Sequence, residues 1–186
     1  PFPLIFALFP FTLRVWYQGE RTCAPAFRLH LISARTLSFF DRLSARCDAV
    51  DSILCVGLDP HKQDLEALGD TSAEGALKFS TNLIDQTRHV AACYKPNAAF
   101  FEAFGAAGVD VLARVIAYVP DGIPVLLDCK RGDIGSTAAA YAESAYVSLK
   151  ADAVTVNPYM GSDSVTPFTK DPTKGVFVLC KTSNPS

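Results

Sequence analysis

The stretch Pro124-Val125-Leu126-Leu127-Asp128-Cys129-Lys130-Arg131-Gly132-Asp133-Ile134-Gly135-Ser136-Thr137 turns from an apolar run to a charged end, then to a glycine-bearing loop and the start of a helical pattern. Near-continuous apolar strands of this kind belong to parallel sheets covered on both faces, because regular alternation is expected only when one face meets water. The same unit recurs along the chain. Ile53 to Leu58 (ILCVGL), Ala92 to Lys95 (ACYK), Ala153 to Val156 and Gly175 to Cys180 (GVFVLC) read as further strands. Between them, Thr71 to Val90, Gly108 to Val119 and Thr137 to Leu149 carry helical periods, and Ser38 to Ala49 reads as an opening helix with an N-cap serine. Asp163 to Thr169 reads as short or irregular.

Strand endings decide between an open doubly wound sheet and a barrel. Each strand finishes in polar residues: Asp59, Lys95, Asp128 with Lys130, Asn157, and Lys181 to Ser183. Barrel enzymes assemble their sites at that C-terminal rim. No P-loop or GxGxxG opens a helix, so the phosphate-binding signals of open sheets are missing. The expectation is an α/β chain forming part of a (β/α)8 barrel. A whole barrel takes ~250 residues, and five strands are legible before Ser186, so the barrel is expected to be incomplete in this chain.

Composition narrows the function. The chain has 186 residues, 17 basic and 19 acidic, with neither sign in a long block, which points away from nucleic acid and membrane surfaces. Its six cysteines show no CxxC pair and no zinc spacing, and they read as reduced thiols of a cytoplasmic protein. Residues 1–37 begin with the apolar run PFPLIFALFPFTL, too short to span a bilayer and broken by Pro3 and Pro10. They are expected to be an extraneous extension, with residues 38–186 forming the barrel part.

Asp128 and Lys130 lie two apart on a strand, and so on one face, with Asp133 just beyond on the loop. Carboxylates beside a lysine hold its ammonium charged and in place, which suits proton delivery to a developing carbanion. A salt-bridged rim that merely closes the barrel is the alternative. Lys95 ends the neighbouring strand at the same rim. Taken alone, Asp59 reads as a turn former before Pro60, Ser183 as a loop serine and His61 as a solvated loop histidine; Asn157 and Thr155 add less.

The segment LDCKRGDIGSTAAAYA (127–142) resembles the catalytic signature of the orotidine 5'-phosphate decarboxylases, in the subgroup with KRGDIGST. LCVGLDP (54–60), YKPNAAFFEAFG (94–105), VNPYMGSDS (156–164) and FVLCKTSNP (177–185) match in order. The resemblance implies a cofactor-independent lyase that converts orotidine 5'-phosphate to UMP and carbon dioxide in pyrimidine biosynthesis, with no metal. It implies that Lys95, Asp128, Lys130 and Asp133 form a charged tetrad in which Lys130 protonates C6. Asp59, Ile134, Thr137 and Ser183 correspond to substrate-binding residues, Asp59 at the ribose and Ser183 at the pyrimidine. Asp133 and Thr137 are implied to act across a homodimer interface, and the phosphate-binding loops are expected to lie beyond Ser186. Two alternatives stand beside it: a magnesium-dependent keto-gulonate-phosphate decarboxylase, and a non-catalytic remnant that binds nucleotide or forms oligomers.

Overall fold

The computed structural model describes residues 37–182. Apart from Leu37, the expectation for residues 1–37 lies outside them, and so does Ser183. Five parallel strands follow one another in space as in sequence: β1 (Leu54–Leu58), β2 (Ala91–Pro96), β3 (Leu126–Arg131), β4 (Ala153–Val156) and β5 (Gly175–Val178). β1 pairs with β2, and β3, β4 and β5 form a ladder. Bridges at Tyr94–Val125 and Asn97–Asp128 join the two groups into one arc of a (β/α) barrel.

Helices α1 (Phe39–Val50), α2 (Lys62–Ala67), α3 (Ala73–Thr87), α4 (Ala98–Glu102), α5 (Ala106–Tyr118) and α6 (Gly135–Glu143) occupy the intervals. α1 starts with a reciprocal capping box between Ser38 and Asp41 and ends at Asp51 in the left-handed conformation. The predicted helix over 71–90 forms as α3, and Ser72 sets its start by accepting from the Gly75 amide at 3.2 Å. Its buried stripe runs through Ala76, Ser80, Ile84 and Thr87. Ser80 fits there because its hydroxyl returns a bond to the Ala76 carbonyl at 2.8 Å. α6 stops short of Leu149 and passes into a π-helical turn over Ser144–Ser148. Three 3-10 turns, between Pro158 and Thr169, fill the irregular stretch before β5.

Strand alternation divides the apolar residues into two groups. Val56, Leu58, Tyr94, Val125, Leu127, Val154 and Val156 face the helices and pack with Ile84, Leu112 and Phe168. On the other strand face, Cys93, Leu126 and Ala153 gather round Phe39, with Cys55 and Phe177 at the margin. Phe39 of α1 is fully buried and meets Phe177 edge-on at 5.9 Å. α1 is held over the strand starts by Arg42, which pairs with Asp152 at 2.8 Å, and by Arg46, which donates to the Ala91 carbonyl at 3.0 Å. The inner face of the arc therefore has an apolar floor at its N-terminal end.

A Cβ on Gly175 would lie 2.5 Å from the Phe39 ring and 2.8 Å from the Ala153 Cβ, so the start of β5 has room only for glycine. Phe39→Ala is expected to cost ~3 kcal/mol by opening a cavity, and Gly175→Ala ~1–3 kcal/mol by overpacking. Urea unfolding followed by circular dichroism measures both losses.

Candidate active site

The C-terminal halves of β2, β3 and β4 bring Lys95, Asp128, Lys130 and Thr155 together. Asp128 is the hub, with a side chain only 10% exposed. Its Oδ1 accepts from Lys130 Nζ at 2.7 Å and from the Thr155 hydroxyl at 2.8 Å, and its Oδ2 receives Lys95 Nζ at 3.4 Å. Burial by itself would raise this carboxyl, but the Lys130 and Thr155 hydrogen bonds and the Lys95 charge outweigh it and hold the group below the usual carboxylate range.

Asp128 and Lys130 meet, although regular alternation is not what brings them together. Leu127 stands opposite Val154 and Arg131 opposite Val156, so anchor points four positions apart on β3 match positions two apart on β4. The strand bulges between them, and Lys130 takes a positive φ of 46°. The Thr155 hydroxyl accepts from the Cys129 amide at 3.1 Å and the Lys130 amide at 2.9 Å, replacing ladder bonds that the bulge removes. Just beyond, Gly132 passes so close to β4 that a Cβ there would lie 2.5 Å from the Asn157 carbonyl oxygen.

Asp59 follows β1 at the same rim. Its Oδ1 is buried without a hydrogen-bond partner among the described residues. Burial raises its carboxyl above the ordinary range, and Lys95 is the main charge opposing that rise, with Asp128 adding to it. His61 is exposed and lies edge-on to Phe100 at 4.3 Å.

Asp133 is not brought to the lysines within the chain; its Oδ1 accepts from the Ile134 amide at 2.8 Å. Ile134 caps α6 and is half exposed, and Thr137 is exposed on the first turn. Thr155 is the member whose importance was not legible, since an isolated strand threonine carries no motif. The five described cysteines are free; Cys55 and Cys93 stand opposite one another on β1 and β2, and their contact together with burial pushes the Cys93 thiol far up. Among the described residues no group of three or more His, Cys, Asp or Glu could hold a metal ion, and no helix is long and apolar enough to cross a membrane.

A sequence profile of the orotidine 5'-phosphate decarboxylase / HUMPS family matches residues 52–186. The chain belongs to this family. Within it, the orotidine 5'-phosphate decarboxylase of Roseiflexus sp. (strain RS-1) is 48% identical over 149 residues, covering 80% of this chain and 54% of the relative. The chain thus spans about half the length of the curated relatives it matches. The structure of Leishmania donovani OMP decarboxylase superposes with a TM-score of 0.72 at 56% identity, covering 80% of this chain and 56% of that one. Leishmania donovani UMP synthase gives a TM-score of 0.73 at 55% identity, covering 81% of this chain and 32% of its own. The five-stranded arc is accordingly a portion of the family's barrel.

The two aspartates of this decarboxylase-family site oppose each other in their effect on stability. The lowered Asp128 carboxyl contributes stability above the unfolded carboxylate pKa, and that contribution is lost as pH falls through the folded value. The raised Asp59 carboxyl binds its proton more tightly when folded, so its ionisation costs stability as pH rises. Asp59→Asn removes that cost. As the group is only part-buried, the expected gain is small, a melting temperature higher by ~2 °C at pH 7. Thermal melts between pH 3 and 8 should show the gain vanish at the acid end.

Proposed function

We propose that this chain is the portion of an orotidine 5'-phosphate decarboxylase that carries the decarboxylation chemistry, converting orotidine 5'-phosphate to UMP and carbon dioxide in pyrimidine biosynthesis. The supporting observation is the Lys130 ammonium, held 2.7 Å from a buried carboxylate whose other oxygen faces Lys95. Decarboxylation breaks the bond between C6 and the carboxylate and leaves its electron pair on C6. A fixed ammonium beside that carbon stabilises the developing charge without reorganisation and then donates a proton to it. In this reading Lys130 is the proton donor and Asp128 holds it aimed. Lys95 links the acids to the ribose. Asp59, with its unpartnered oxygen, accepts from ribose hydroxyls, and Ser183 contacts the pyrimidine.

The same reading puts Asp133 and Thr137 at the neighbouring site of a homodimer, with Ile134 among the substrate-binding residues. In support, Asp133 makes no ion pair with either lysine among the described residues, and Thr137 is exposed. It also makes the protein cytoplasmic, in keeping with its free thiols.

The test is UMP formation, in the presence of EDTA, by this chain joined to the remaining C-terminal part of the Roseiflexus relative. Turnover is expected without added metal, and Lys130→Ala is expected to lower kcat by at least ~10³-fold. Absence of turnover in the unsubstituted protein, or full activity of the variant, would overturn the reading.

A further inference from the structure

The Thr155 hydroxyl has one proton to give and two lone pairs with which to accept. Both lone pairs are taken, by the amides of Cys129 and Lys130 at 3.1 and 2.9 Å. The proton therefore has one outlet, Asp128 Oδ1 at 2.8 Å. Every hydrogen-bonding capacity of the group is engaged, and all three bonds go to β3 across the bulge.

That bulge holds Lys130 at φ 46°, a left-handed conformation that is unfavourable for a non-glycine residue. Outside the bulge, ladder bonds between backbones maintain strand pairing; within it, the Cys129 and Lys130 amides have a side chain for a partner. The same oxygen thus secures the backbone of Lys130 and the carboxylate that receives its ammonium. A β-branched residue is suited to this, because its χ1 is restricted and the hydroxyl has few other places to go.

We propose that Thr155 is the positioning residue of the site, whose hydroxyl sets the direction of the Lys130 ammonium by fixing the Lys130 amide and the Asp128 carboxylate together. Its part in catalysis rests on the decarboxylase reading, but the positioning does not. Among the described residues, four groups face Asp128: Lys95 from β2, Lys130 from β3, Thr155 from β4 and the Asp59 carboxylate from the end of β1. Removing the only neutral donor among them leaves the charges in place, so a change in Asp128 titration reports the hydroxyl itself.

The test compares Thr155→Val, which keeps the shape and removes the hydroxyl, with Thr155→Ser, which keeps the hydroxyl. On the 186-residue chain, carbon-13 NMR follows the Asp128 carboxyl, and hydrogen exchange follows the Cys129 and Lys130 amides. The valine variant is expected to raise the Asp128 midpoint and speed exchange at those two amides by about tenfold, with the Val154 amide unchanged. Serine is expected to restore most of both. Should the valine variant not fold, Thr155→Ala is read in the same way. An unchanged Asp128 midpoint and unchanged amides in the hydroxyl-free variant, or a serine variant that behaves like valine, would overturn the proposal. In the chain joined to the Roseiflexus C-terminal part, kcat is expected to fall with KM little changed, and the acid limb of the rate profile to move up in pH. Absence of turnover in the parent protein counts against the decarboxylase reading alone, and the NMR comparison then decides the role of Thr155.

Discussion

A carboxylate is kept ionised almost out of reach of water at Asp128, and the site's geometry follows from satisfying it. Taking such a charge out of water costs several kcal/mol after relaxation, repaid only where the oxygens are well partnered. Three donors from three adjacent strands supply the partners: Lys95 from β2, Lys130 from β3 and Thr155 from β4. Parallel order in the arc makes that convergence possible, because consecutive strands all end at one rim. The two ammonium groups are brought near one another by a shared anion, which also screens their mutual repulsion.

The floor beneath the rim serves the same end. Phe39, Cys93, Leu126 and Ala153 form an apolar layer on the inner strand face, and Arg42 and Arg46 tie α1 across the strand starts. This layer bounds the charged residues from below and helps keep the local dielectric low. Lys130 is half exposed, but its carboxylate partner is only 10% exposed, so this pair is less screened by water than the pairs at Lys62 with Glu66 or Arg88 with Asp85.

Most of the architecture was legible because strands buried on both faces and helices with one apolar stripe leave different periods in a sequence. β1 to β5 and the longer helices announce themselves in that way. α2 and α4 do not, since segments of six and five residues are too short for a helical period to show. The site was legible at Lys95, Asp128 and Lys130 because strand ends in a barrel share a rim. Asp133 shows the limit of spacing: it lies close in sequence to Lys130, yet its carboxylate turns back to the Ile134 amide. Thr155 lies beyond that limit altogether. Its value depends on a bulge in the neighbouring strand, and no propensity marks Lys130 as a residue that adopts a positive φ.

Strain and burial at this rim have a common logic. Lys130 holds an unfavourable backbone angle, and Asp59 holds a buried oxygen without a partner among the described residues; neither feature helps the chain fold. Asp128 differs, because its full set of donors makes its burial tolerable. The satisfied carboxylate and its threonine form a rigid base, and the unsatisfied one faces the same region with an acceptor to spare. A ligand with hydroxyl donors beside an anionic ring meets both: it would supply what Asp59 lacks, and its ring would face the ammonium groups that Asp128 organises. Stability is thus given up at the groups that would face the ligand and recovered at the groups that hold them.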